Sequence, residues 1–139
     1  MQTMTYEQAQ THLKTLSREF GVKPPELRLS PNTRGSYYHT PHWPSTLKKF
    51  SLAERNSYLR GVISVGLADP RWSLQNTLLH EFAHHLTCYL HGPMVNHQRP
   101  FCESLERVTR FFYGDTRLYP WKDEYVCVRN YAKRVGLCE

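Results

Sequence analysis

The segment Leu78-Leu79-His80-Glu81-Phe82-Ala83-His84-His85-Leu86 contains the pattern H-E-x-x-H. On a helix that spacing puts two histidines on one face, where they can act as paired metal ligands. Residues four apart return to within about 40° of one another, one turn along, so both imidazoles can meet one ion at roughly 2.0–2.1 Å. Glu81 sits one position past the first ligand, so its carboxylate can reach a metal-activated water without binding the metal. A metal beside a carboxylate base is hydrolytic chemistry. A pattern this short also arises by chance in a chain rich in His and Glu, so its surroundings decide between the two readings.

Those surroundings are a buried helix. Leu74, Leu78, Leu79, Phe82, Ala83, Leu86 and Leu90 recur at three- and four-residue steps. Asp69-Pro70 closes the preceding segment, and Ser73 is placed to cap a helix over about residues 74–91. Burying His and Glu in so apolar a helix is unfavourable unless each finds a partner. A metal ion satisfies both histidines at once.

Two imidazoles leave zinc under-coordinated, because a catalytic site usually has about three protein ligands and one open position. His97 comes 13 residues after His84 and follows Gly92-Pro93, where a tight turn can bring the chain back. His91 lies two turns past His84, more than about 10 Å along the axis if the helix continues. Glu103 or Glu106, on the following helix, would complete a site of two His and one Glu. The compact pattern H-E-x-x-H-x-x-G-x-x-H is absent, since Thr87 and Leu90 fall at the positions where it requires other residues. The spacing favours His97. His85 points about 100° away from His84, which predicts a surface or supporting role.

The positioning elements follow from periodicity and turn residues. Residues 4–20 read as a helix, with Met4, Ala9, Leu13, Leu16 and Phe20 apolar and Gly21 ending it before Pro24-Pro25. Glu26-Leu-Arg-Leu-Ser30 alternates as a half-buried strand, and Pro31-Asn32 makes a turn. Arg34 to His39 then reads as a second strand, one side of a hairpin. Residues 40–57 read as a loop with a helical turn near 51–57. Val62 to Leu67 is β-branched and reads as a third strand; if it is the sheet edge beside the site, an extended peptide could add to it as another strand. Gln98 or Pro100 opens a helix that runs to Tyr113 and ends at Gly114. A last helix spans about 121–135. The order predicts an α+β fold with a small three-stranded antiparallel sheet.

At 139 residues the chain fits one domain, expected to be monomeric. No apolar run approaches the roughly 18 residues of a membrane span, and the first residues show neither the basic nor the apolar region of a secretory leader. This predicts an intracellular, cytoplasmic protein. Cys88, Cys102, Cys127 and Cys138 are widely spaced with no C-x-x-C, which argues against a zinc ribbon; an even number allows disulfides, and an intracellular chain predicts free thiols acting as small hydrophobes. The formal charge of +6 favours acidic partners, nucleic acid among them, although the basic residues are scattered over a mixed surface.

Residues 78–86, followed by Asn96-His97-Gln98-Arg99-Pro100-Phe101, resemble the SprT-like zinc metalloproteases, the group that includes the Spartan proteases of DNA–protein crosslink repair. Arg34-Gly35-Ser36-Tyr37 resembles the family's strand region before the site. The resemblance spans about residues 34–112 and is concentrated in 78–101. It implies a zincin-like fold in which His80, His84 and His97 hold Zn2+ and Glu81 is the catalytic base. Phe101 matches the aromatic that starts the next helix. Gln98 stands where the family usually has Gly, and the family's C-terminal zinc ribbon has no counterpart. The implied function is a zinc-dependent metallopeptidase acting on protein or peptide substrates, with DNA-associated proteins and DNA itself as the family's partners. Tyr37, Tyr38, Tyr113 and Arg99 are candidate oxyanion donors. The alternatives are another zinc-dependent amide hydrolase, a nucleic-acid-binding module with structural zinc, or an effector that cleaves one specific partner.

Overall fold

The computed structural model describes residues 4–39, 51–68, 72–92 and 97–138. The predicted loop over 40–50, the Asp69-Pro70 break and the chain after Gly92 up to Asn96 lie outside the described residues. The elements are α1 (Tyr6–Phe20), β1 (Glu26–Ser30), β2 (Ser36–His39), α2 (Leu52–Tyr58), β3 (Val62–Gly66), α3 (Leu74–His91), α4 (Arg99–Tyr113) and α5 (Val126–Arg134). Two 3-10 turns, Thr116–Leu118 and Trp121–Asp123, separate the last two helices. The fold class is α+β, as predicted. No helix among the described residues is long and apolar enough to cross a membrane.

The sheet departs from expectation. Its strand order is β1-β3-β2, with β1 parallel and β2 antiparallel to β3, so it is mixed rather than antiparallel. β1 and β2 do not form a hairpin, because β3 lies between them. Burial explains the order. Val62, Ile63 and Val65 of β3 are all inside, as a strand covered on both faces requires, whereas β1 and β2 carry the polar residues suited to edges. β3 is therefore the central strand, not the sheet edge beside the site. Parallel pairing of β1 with β3 needs a long connection, and residues 31–61 supply it. Gly66 closes the arrangement: its N–H donates to the Gly35 carbonyl at 2.8 Å, and a Cβ there would lie 2.5 Å from that oxygen.

α3 is the spine of the molecule. Ser73 caps it, its hydroxyl accepting from the Asn76 N–H at 3.1 Å. Leu78, Leu79, Phe82, Ala83, Leu86 and Tyr89 join the central core with Leu13 and Leu16 of α1, Ile63 of β3 and Phe101, Leu105 and Val108 of α4. α1 carries a full capping box, Thr5 with Gln8, and ends at Gly21 with φ 70°. The predicted helix over 121–135 is shorter and starts later. Trp121–Asp123 is a 3-10 turn, Glu124 is extended at φ −77° and ψ 169°, and α5 begins at Val126. The interruption turns Glu124 inward, against His80.

Candidate metal centre

Two elements bring three imidazoles together. His80 and His84 share one face of α3, and His97 sits immediately before α4. The His97 Nε2 lies 3.2 Å from the His80 Nε2 and 3.2 Å from the His84 Nε2. The three ligand nitrogens all fall within 4.8 Å of one another, close enough to hold a metal ion. Two nitrogens bound to one tetrahedral zinc would be about 3.3 Å apart, given bonds of roughly 2.0–2.1 Å.

The chemistry of this donor set fits a cation. The Nδ1 proton of His80 is committed, donating to Glu124 Oε1 at 2.7 Å, so its Nε2 presents a bare lone pair. One proton on the His97 Nε2 could satisfy only one of its two neighbours. A single positive ion satisfies all three. Burial also favours the unprotonated form of His84 and His97, as metal binding requires. It pushes the His84 pKa down to about 3, with the neighbouring His80 and His97 adding to the effect. His97 is lowered to about 4, again chiefly by burial.

Glu81 is on the adjoining face of α3, only 5% exposed. It has no hydrogen bond or ion pair among the described residues. Burial raises its pKa to about 7; the His80 ring opposes that shift and the Glu124 charge adds to it. A buried carboxylate with no partner among the described residues, beside three converging imidazoles, is poised to exchange a proton near neutral pH.

An aromatic shell fixes the rings. Phe101 stacks on His84, with centroids 4.1 Å apart. Tyr125 stacks on His97 at 4.3 Å while remaining 59% exposed, so it forms the rim of the site. Trp72 meets His80 edge-on at 5.3 Å. No cysteine, acid or further histidine joins the three imidazoles among the described residues.

The other predicted candidates lie elsewhere. His91 is exposed at the end of α3. Glu103 is exposed and pairs with Arg99 at 3.7 Å. Glu106 accepts from the Tyr131 hydroxyl at 2.6 Å and pairs with Arg110. Tyr113 bonds Asn76 and Gln75, and Tyr37 is exposed, stacked on His39. The surface position that the sequence allows for His85 is not found, since the side chain is fully buried and its role is to support α3. Its Nε2–H donates to the Lys23 carbonyl at 2.6 Å and its Nδ1 accepts from the Tyr38 hydroxyl at 2.9 Å, so from inside the core it ties α3 to β2 and to the segment that leads into β1. α3 is apolar nearly all round, and that face is covered by the sheet rather than by water.

Local spacing does not mark Glu124, Tyr119 or Trp72 as site residues, and it places Tyr125 only as an apolar position of the last helix. The Tyr119-Pro120-Trp121 cluster with an acid three residues on was the available signal, since Pro breaks a helix and the aromatics need burial. No protein-family model matches the chain, and no curated protein or solved structure is detectably similar to it.

Proposed function

We propose that the protein is a zinc-dependent metallopeptidase of the SprT-like, zincin type, with His80, His84 and His97 as metal ligands and Glu81 as general base. The observation that carries this reading is the Glu81 carboxylate, buried and without a hydrogen bond or ion pair among the described residues, on the same helix as two of three convergent imidazoles. A structural zinc would gain nothing from that carboxylate and would be closed by about four protein ligands. When bound, zinc would supply Lewis-acid chemistry, acidifying water and polarising a carbonyl.

The chain's own residues do the rest. Glu81 takes a proton from the attacking water onto a carboxylate oxygen and delivers it to the departing amine nitrogen. Phe101 and Tyr125 hold the His84 and His97 rings in place. The apolar surroundings limit water around Glu81 and keep its basicity high. The substrate class is a protein or peptide, and the net charge of +6 supports an acidic setting such as DNA-associated proteins.

Hydrolysis of an unfolded protein substrate by the zinc-loaded protein tests the reading. Wild type should cleave and Glu81→Gln should retain its zinc while losing activity by at least about 100-fold. Equal cleavage by the two proteins would refute the assignment of Glu81.

A further inference from the structure

Glu124 is separated by 44 residues from His80, yet its Oε1 lies 2.7 Å from the His80 Nδ1. The same oxygen accepts from the Tyr119 hydroxyl at 2.6 Å, and Oε2 accepts from the Tyr125 N–H at 3.3 Å. The Glu124 side chain is 0% exposed and that of His80 6%. Among the described residues no Lys or Arg pairs with this carboxylate, and His80 is its one ion-pair partner. A buried anion with no cation is strongly disfavoured, whereas one facing a metal through an imidazole has its counter-charge on the far side of the ring.

We propose that Glu124 is a positioning residue for the metal centre, acting through the His80 ring, an inference that rests on the metal reading above. The carboxylate fixes the proton on Nδ1, leaves the Nε2 lone pair pointing at the other two imidazoles, and makes that lone pair a stronger donor. Tyr119 and the Tyr125 backbone hold the carboxylate in turn. The support is rigid: Trp121 is buried, its Nε1–H donates to the Thr116 carbonyl at 2.7 Å, and Tyr119 packs edge-on against it at 4.9 Å. The link between α4 and α5 thus becomes a third contributor to the centre, along with α3 and the start of α4.

The test is zinc affinity measured by competition with a chromophoric chelator, for wild type, Glu124→Gln and His80→Ala, with the cobalt absorption spectrum of each. Glu124→Gln keeps the shape and an acceptor oxygen and removes the charge. It should weaken zinc 10- to 100-fold, by the usual order of such outer partners, and shift the cobalt bands. An affinity within about twofold of wild type, with unchanged bands, would overturn the role of Glu124 while leaving the metal centre standing. A wild type that takes up no metal would overturn both. If Glu124→Gln does not fold, nitrogen NMR of the zinc-loaded wild type decides instead. His80 should show a protected, slowly exchanging proton on Nδ1, and ligation of the metal through Nδ1 would refute the proposal.

Discussion

The imidazole of His84 lies flat against the phenyl ring of Phe101, their planes 2° from parallel. Phe101 is also edge-on to His80 at 5.0 Å and lies 4.8 Å from His97, so one ring touches all three candidate ligands. It sits in the first turn of α4, two residues after Arg99 opens the helix, and is fully buried. The packing of α3 on α4 and the aim of the histidines are therefore one feature.

Replacing Phe101 separates that feature into two readouts. Phe101→Leu should lower stability by roughly 1–2 kcal/mol, as expected for an imperfect refilling of a core site. It should also weaken zinc about tenfold, because the His84 ring is then free to tip. Denaturant unfolding of the metal-free protein and a zinc competition titration measure the two effects. Lost stability with unchanged zinc affinity would mean that Phe101 is core filling alone.

Gly61 should tolerate no side chain. A Cβ there would fall on the His85 ring and within 2.6 Å of the Tyr38 hydroxyl. Gly61→Ala must push apart the hydrogen bond that joins α3 to β2, at about 1–3 kcal/mol by the usual scale for overpacking. Chemical denaturation reads this directly, and a variant as stable as wild type would contradict the packing described.

His85 should give the metal-free protein an acid-sensitive term. Burial holds its folded pKa at about 3, against an unfolded value near 6.5. Between those values the unfolded chain binds the extra proton, so stability falls as pH drops from about 6.5 toward 3, by up to about 1.4 kcal/mol per pH unit. His84 and His97 act in the same direction. Glu81, raised to about 7, acts in the opposite direction above the ordinary carboxylate value. His85→Gln isolates the one contribution. Its stability profile from pH 4 to pH 6.5 should be shallower than that of wild type, and parallel profiles would exclude a buried neutral His85.

Local pattern made the centre of the site legible before any coordinates. His80, Glu81 and His84 are related by helical spacing, Ser73 caps as its residue type suggests, and His97 lies at a distance that one turn can span. The rest depends on long-range pairing. β1 and β3 are parallel neighbours with 31 residues of other chain between them, from Pro31 to Gly61, and no local rule orders them. The adjacent apolar pair Val62-Ile63, which breaks strict alternation, is a hint in the sequence that β3 is central. Glu124 is not legible in the sequence because it is 44 residues from His80 and falls where periodicity predicts a continuous helix. The interior position of His85 likewise depends on which face the sheet covers, information that α3 alone does not carry.

Equilibrium dialysis of the metal-free protein against zinc, with metal analysis of wild type and His97→Ala, addresses the central claim most directly. Three imidazoles holding one divalent ion predict one zinc per wild-type chain and a loss of affinity of about 100-fold or more in the variant. Wild type that binds no zinc, or a variant that binds as tightly as wild type, would contradict it.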